Sequence, residues 1–314
     1  MSTVPVTPPT ATAPVATAAS GPRPDQPRPA ARATARTAGR RLWLTGLCLL
    51  GFLVVLALCA PLAGSPYTIH TDSLTSQGLP AGVGENGHLL GTDAIGRDLF
   101  ARTLYGLRAT LIIALTANLT SVALGAVVGL VAGFYRGWFE QVLMRIVDVF
   151  LSVPTVLSGL ALASIVGRGT TGIIIVVTAL YWAWTARLVH GETVRLRGRG
   201  FVEAALAHGV RRHTALRRHV LPHLSTILLN VAALNGAAVV VVGAGLSYLG
   251  AGIQPPTPEL GNMLADGSSS MTYAPHTLFV PLVLVIATVL AFVLVAEGLN
   301  RRNPLSERRS WLDA

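Results

Sequence analysis

Residues 111–134 read LIIALTANLTSVALGAVVGLVAGF and contain no charged side chain. At a rise of about 1.5 Å per residue, a helix of this length covers the ~30 Å hydrocarbon core of a bilayer. An uncharged apolar run this long is typical of a membrane-spanning helix and rare in a soluble domain. We therefore expect this stretch to cross a membrane, and it decides the fold class of the chain.

Five further apolar runs are candidate spans, although the third and fourth of the six spans are short and the fourth contains Arg187 near its end. They cover residues 42–62, 149–166, 172–188, 224–249 and 278–296. The composition agrees with them, because 52% of the residues are hydrophobic and only 12% are charged, whereas a soluble domain carries about 25% charge. A soluble enzyme is nearly excluded. The sequence predicts an all-α, polytopic membrane protein with six transmembrane helices.

The distribution of arginine predicts the orientation. All 24 basic residues are arginine, and cytoplasmic segments of membrane proteins are enriched in positive charge. If the N-terminus is inside, the segments outside hold only Arg97, Arg102, Arg108 and Arg168. Both termini are therefore expected to be cytoplasmic. The net charge of +10 then needs no nucleic-acid partner, and the absence of lysine excludes a P-loop ATPase site.

These spans divide the chain into predicted segments. The Arg-, Pro- and Ala-rich residues 1–41 have a composition typical of a disordered cytoplasmic tail. The other segments are a first transmembrane helix at 42–62, an extracytoplasmic loop at 63–108, a transmembrane domain at 109–300 with a cytoplasmic loop at 190–223, and a cytoplasmic tail at 301–314.

The cytoplasmic loop carries a pattern of two short helices. Residues 201–208 favour the first helix, Gly209 supplies a turn after it, and residues 211–219 form a basic second helix before Pro222 opens the next span. Such a hairpin could insert into a groove of a partner protein. A basic loop that lies along the lipid surface remains the alternative from these residues alone.

One motif in this loop resembles a known family. Glu203-Ala204-Ala205, then Gly209, and then Leu221-Pro222 resemble the E-A-A-x-x-x-G…L-P loop of ABC-transporter inner-membrane permeases. In that family the loop docks on a cytoplasmic ATPase. The resemblance therefore implies that Glu203 contacts an ATPase subunit and that Gly209 sets the angle of the hairpin.

A second motif precedes the second span. The stretch HLLGTDAIGRD at residues 88–98 resembles the H-x-L-G-T-D-x-x-G-R-D motif of the dipeptide/oligopeptide/nickel class of these permeases, in particular the "C"-type subunit. The matching positions are His88, Gly91, Thr92, Asp93, Gly96, Arg97 and Asp98. The histidine and the acids alone could suggest a metal or hydrolytic site. Ion pairing within a folded outer loop is the better interpretation, and we expect no metal site.

Further family motifs extend the resemblance over about residues 40–298. They are Trp182 with Ala186 and Arg187, and Gln254 with Pro255 and Pro256. Among the positions that depart from the family pattern, Gly243 stands where an acid is usual, and Leu260 where tryptophan is usual.

The resemblance implies a permease subunit of an ATP-driven, binding-protein-dependent importer in a bacterial plasma membrane. The expected partners are a second permease subunit, two cytoplasmic ATPase subunits that hold ATP and Mg²⁺, an extracytoplasmic solute-binding protein and the lipid bilayer. The chain itself would be no enzyme and would bind no cofactor. Peptides are the expected solute, with nickel or another small solute open.

An ion-coupled secondary transporter is the alternative. Such a carrier needs an ionisable group at membrane depth, and no acid lies in the middle of any predicted span.

Overall fold

The computed structural model describes residues 29–70, 74 and 80–302, with side chains from Thr37 to Arg301. Within these ranges β pairing is limited to two isolated bridges. The helices are α1 (Pro29–Leu58), α2 (Leu99–Tyr135), α3 (Trp138–Ser152), α4 (Thr155–Val166), α5 (Thr170–Arg197), α6 (Gly200–Ala207), α7 (Arg212–Ala215), α8 (Leu221–Tyr248), α9 (Leu260–Ser269) and α10 (His276–Arg302). The all-α prediction is confirmed.

Five helices are long and apolar enough to cross a membrane, namely α1, α2, α5, α8 and α10. The third span was predicted to be one helix over residues 149–166, and the structure differs from this prediction. The span is a pair, α3 and α4, bent by 98°. Pro154 causes the break, because proline disfavours helical backbone at the residue before it, and Val153 is extended with φ −96° and ψ 136°.

Helices α2 and α5 run parallel and pack closely. A side chain at Gly125 would collide with the backbone at Trp182, one at Gly129 with Ala186, and one at Gly133 with His190. The contacts advance in the same direction along both helices. The chain must therefore return across the bundle between them, and α3 and α4 together make that return. The prediction of six crossings is met in this form, with one crossing built from two helices.

The other long helices alternate in direction. Gly236 of α8 faces Phe292 of α10, Gly46 of α1 faces the backbone at Val295, and Gly298 of α10 faces Trp43. Both described chain ends therefore lie on the face that carries residues 199–221, which we call the hairpin face. The residues before α2 lie on the opposite face, which we call the motif face. An even number of crossings predicts this placement.

Two segment boundaries differ from the prediction. Helix α1 begins at Pro29, within the segment 1–41 that was expected to be disordered, because residues 30–41 are rich in the good helix formers alanine and arginine. Helix α2 begins at Leu99, within the predicted outer loop 63–108. Residues 1–28 and 303–314 of the predicted tails lie outside the described residues.

Polar side chains inside the bundle bond between helices. Asn235 Nδ2 donates to Thr185 Oγ1 at 2.9 Å, and Asn118 Nδ2 donates to the Ala232 carbonyl oxygen at 2.7 Å. Cross-helix bonds of this kind stabilise membrane helices by about 0.6–2 kcal/mol each.

Candidate functional site

The hairpin, residues 199–221, connects α5 to α8. Helix α6 ends in a Schellman turn, in which the Gly209 amide donates to the Leu206 carbonyl at 3.0 Å and the Val210 amide donates to the Ala205 carbonyl at 3.1 Å. Gly209 has φ +81°, a conformation in which a side chain is strained. The turn predicted at Gly209 is present in the structure.

The inner side of the hairpin is anchored in a small apolar core. Val202, Leu216 and Val220 are buried against the ends of three spanning helices. The residues contributed by those ends include Phe134, Val189, Leu196, Leu224 and Ile227. The orientation of the hairpin is therefore fixed to α2, α5 and α8 by apolar contact.

The outer side of the hairpin is open and mostly basic. Glu203, Ala204 and Gly209 are exposed, as are Leu221 and Pro222. The hairpin has a single acid, Glu203, and four exposed arginines, namely Arg211, Arg212, Arg217 and Arg218. The predicted coupling residues are thus accessible, except that Ala205 is half-buried.

A wide helical turn leads from the hairpin into α8. Residues 216–220 form a π-helix, and the Leu221 amide donates to the Leu216 carbonyl five residues earlier. Pro222 follows and has no amide proton to continue the α-helical pattern. π-Helical turns occur often at functional sites, and sequence reasoning did not foresee this one.

The predicted outer motif forms the N-terminal end of α2 on the motif face. Asp98 caps the helix, with Oδ1 accepting from the Ala101 amide at 2.8 Å, and its Oδ2 lies 2.6 Å from His88 Nδ1. Thr92 Oγ1 accepts from the Ala81 amide at 2.8 Å. Gly91 and Gly96 have φ +78° and +83°, which favours glycine at both turns.

The centre of this motif is a carboxylate shared by two guanidinium groups. Asp93 Oδ2 lies 2.6 Å from Arg97 Nε and 3.2 Å from Arg102 Nε. Asp93 Oδ1 also accepts from the Arg97 amide at 2.9 Å. The predicted ion pairing within the loop is present, and among the described residues no group of three potential metal ligands occurs.

The remaining predicted residues lie at two other places. Trp182 meets Phe150 edge to face at 5.2 Å, and Arg187 forms an ion pair with Asp148, so with Ala186 they join α5 to α3 and α2. Gln254, Pro255 and Pro256 lie on the motif face, where Gln254 Nε2 donates to the Gly250 carbonyl at 3.0 Å.

Arg102 was missed as a site residue by sequence reasoning. It is 2% exposed and donates from Nη1 to the Pro256 carbonyl at 3.3 Å and to the Pro66 carbonyl at 3.5 Å. It thereby joins the two family motifs of the motif face. The only signal in the sequence was its position four residues after Asp98. Because Asp98 caps α2, Arg102 lies one turn into that helix.

Glu259 was missed as well. It is 1% exposed and caps α9 together with Asn262, and its Oε1 accepts from the Thr110 hydroxyl at 2.9 Å. Burial raises the pKa of this carboxyl, and hydrogen bonds from its neighbours oppose the shift. Glu259 also lines a small space beside Gly243, so a carboxyl group lies close to the position where the family pattern has an acid. The spacing Glu-x-x-Asn was the available signal.

Comparison with known proteins decides the family. Residues 125–303 match the family described as "Binding-protein-dependent transport system inner membrane component". The chain is 37% identical to the glutathione transport system permease protein GsiD of Pectobacterium atrosepticum over 213 residues, which is 68% of this chain and 71% of that protein. The chain is a binding-protein-dependent transport permease.

A second relative agrees with this assignment, and two solved structures share the fold. The GsiD protein of Shigella dysenteriae is 35% identical over 68% of this chain and 70% of that protein. Two crystal forms of the inward-facing MetNI methionine ABC transporter, the CY5 SeMet soak and the CY5 native form, match with TM-scores of 0.53 and 0.52. They are 19% and 20% identical, and the matches cover 63% and 62% of this permease and 93% and 91% of those chains. They support the fold.

Family membership confirms the central predictions from the sequence. This permease is an inner-membrane subunit of a binding-protein-dependent ABC importer. Its place is a bacterial plasma membrane, which it crosses several times. Members of this family are transporter subunits that associate with ATPase and binding-protein partners.

Proposed function

We propose that the hairpin of residues 199–221 is the surface on which a cytoplasmic ATPase docks. The hairpin face is then cytoplasmic, together with both chain ends, and the motif face is extracytoplasmic. The observation that carries this proposal is the division of the hairpin into a buried anchor at Val202, Leu216 and Val220 and an exposed side with Glu203 and Gly209. A docking element needs both a fixed base and a free contact surface.

The assembly we propose contains two permease subunits, two ATPase subunits and a solute-binding protein. ATP and Mg²⁺ bind to the ATPase subunits, and this chain holds no cofactor and no catalytic site. The solute-binding protein docks on the motif face, near residues 91–98 and 254–261.

The proposed mechanism is alternating access. When ATP closes the ATPase pair, the hairpin moves with it. Because the hairpin core includes the ends of α2, α5 and α8, the displacement passes to all three helices. Glu203 makes a polar contact with the ATPase, and Gly209 holds the angle between α6 and the basic second half of the hairpin.

The proposed solutes are short peptides. This choice rests on the resemblance to the peptide class of permeases and on relatives named for glutathione, which is itself a tripeptide. Nickel or another small solute remains a competing candidate for the same assembly, and uptake of labelled peptides against labelled Ni²⁺ separates the two.

A pull-down tests the docking surface. The tagged chain is expressed with its neighbouring genes, purified in mild detergent, and assayed for bound chains and MgATP hydrolysis. We expect an ATPase to co-purify with the wild type and to be lost in Glu203→Arg. Glu297→Arg is the matched control, since Glu297 lies near the hairpin face but outside the hairpin.

Two results would contradict the proposal. An ATPase that stays bound to Glu203→Arg combined with Gly209→Val would place the docking surface elsewhere. A chain that purifies alone, and whose transport collapses with an uncoupler while ATP stays high, would favour the ion-coupled secondary transporter.

A further inference from the structure

A cavity of about 400 Å³ opens on the motif face. Its walls come from the outer motif, from Pro255 and Pro256, and from α9 with the start of α10. A volume of this size falls in the range of pockets that bind small molecules, about 300–1,000 Å³. The lining combines apolar, hydroxyl and charged side chains, among them Leu99, Met263, Ser270, Thr277, Arg97 and Asp266.

One wall carries a guanidinium group with spare donors. Arg97 gives only its Nε to Asp93, at 2.6 Å, and in the described part of the chain its two terminal nitrogens meet no acceptor. Arg102, by contrast, also donates to two carbonyl oxygens. Because Arg97 and Arg102 share the single carboxylate of Asp93, one positive charge is left over at this wall. The Arg97 side chain is only 8% exposed, so its position is fixed.

The wall formed by α9 carries a carboxylate. Asp266 lines the cavity and has no ion-pair partner in the part of the chain that the structure describes. Burial raises the pKa of this carboxyl, while Arg102 and Arg97 lower it, which places Asp266 within electrostatic reach of both guanidinium groups.

We propose that this cavity binds a small zwitterion, an amino acid or short peptide whose carboxylate pairs with Arg97 and whose ammonium group pairs with Asp266. A guanidinium offers parallel donors that match a carboxylate. Leu99 and Met263 supply apolar surface for a side chain. The hydroxyl groups of Ser270 and Thr277 also line the cavity, where they hydrogen-bond to each other at 2.8 Å. A simple anion would meet Asp266 with like charge, and a simple cation would meet Arg97. The site uses only residues of this chain and does not depend on the proposed ATPase docking.

Calorimetric titration of the full-length chain in nanodiscs tests the site. The probes are glycyl-leucine, its N-acetyl derivative without the ammonium group, and its C-terminal amide without the carboxylate. We expect glycyl-leucine to bind at least about tenfold more tightly than either blocked form, a difference of about 1.4 kcal/mol. Equal affinity for the three probes, or no binding of any, would overturn the proposal.

Two variants test which charged group of the ligand Asp266 and Arg97 each bind. Asp266→Asn should weaken glycyl-leucine about tenfold and leave the N-acetyl form unchanged, because that form has no ammonium group to lose. Arg97→Lys keeps a cation for Asp93 but removes the two terminal nitrogens of the guanidinium group and their parallel donors, so it should weaken glycyl-leucine and leave the amide unchanged. Glu85→Gln, an exposed acid of the same face that does not line the cavity, is the control. Weakening of all probes alike by either variant would contradict the assignment.

Discussion

Nη1 of Arg197 lies 2.6 Å from the carbonyl oxygen of Phe134, and the guanidinium carbon lies 5.8 Å from the centre of the Phe134 ring. This contact joins the last residue of α5 to the second-last residue of α2, directly before the hairpin begins. The last four carbonyl groups of a helix have no partner within it, and Arg197 satisfies one of those of α2. The contact therefore adds a polar link between α5 and α2 to the apolar contacts at the base of the hairpin.

Removing this donor should loosen the base of the hairpin. Arg197→Met keeps a long apolar side chain but leaves the Phe134 carbonyl without its partner, a loss of about 1–3 kcal/mol. We expect a lower midpoint of thermal unfolding in detergent for Arg197→Met. Arg211→Met, at an exposed position of the same hairpin, should leave the midpoint unchanged. An equal effect of both substitutions would contradict the role of this contact.

Gly209→Val should disturb the hairpin without preventing membrane insertion. A side chain at Gly209 has open space around it, so the cost comes from its φ of +81° and amounts to about 1–2 kcal/mol. We expect normal membrane levels and reduced ATP-driven uptake. Gly200→Val provides the matched control, because Gly200 also has open space and lacks a positive φ. Normal uptake by Gly209→Val would show that the angle of this turn does not matter.

Substitution of Gly129 should separate α2 from α5. A methyl group at this position would collide with the Ala186 carbonyl and lie 2.9 Å from the His190 amide nitrogen. Overpacking of this kind costs about 1–3 kcal/mol. We expect Gly129→Ala to unfold at a lower temperature than the wild type. Gly51→Ala, where nothing lies within 4 Å, should not, and an unchanged midpoint for Gly129→Ala would argue against the close packing.

Glu259 should make stability depend on pH. Its pKa is raised above the ordinary value of 4.5, chiefly by burial, so the folded chain favours the protonated form. The resulting stabilisation is complete below the unfolded pKa and is lost as the pH rises through the raised pKa. We expect the unfolding midpoint of the wild type to fall as the pH is increased from 4.5.

Glu259→Gln isolates this effect, because an amide does not ionise. The midpoint of this variant should fall less over the same pH range, measured by thermal unfolding in one detergent. Glu85→Gln should keep the slope of the wild type. A slope that is unchanged in Glu259→Gln would assign the pH dependence to another group.

The spans and the two family motifs could be predicted because their signals are local. An uncharged run such as residues 111–134 determines a helix by its own composition, and Gly209 marks a turn by its own conformational freedom. The ion pairing of Asp93 with Arg97 was also predictable, since the two residues are four apart and share one loop.

Features that depend on distant segments could not be predicted. Pro154 was expected to be tolerated near the start of one helix, and only the parallel packing of α2 and α5 shows that the bent pair still makes a crossing. Arg102 contacts carbonyl groups at Pro66 and Pro256, which lie 36 and 154 residues away. The burial of Glu259 depends on Thr110, which is 149 residues distant.

The three glycines that press α2 against α5 have a mechanical consequence. At Gly125, Gly129 and Gly133 the backbone of α2 lies directly against α5, so few flexible side-chain atoms between the two helices can absorb a relative shift. Helices α2 and α5 should therefore move together as one rigid body. A displacement of Arg197 would then be transmitted to the other end of α5, about 40 Å away at 1.5 Å per residue. It would move the segment around Gly169, whose amide donates to the Gly252 carbonyl at 3.3 Å.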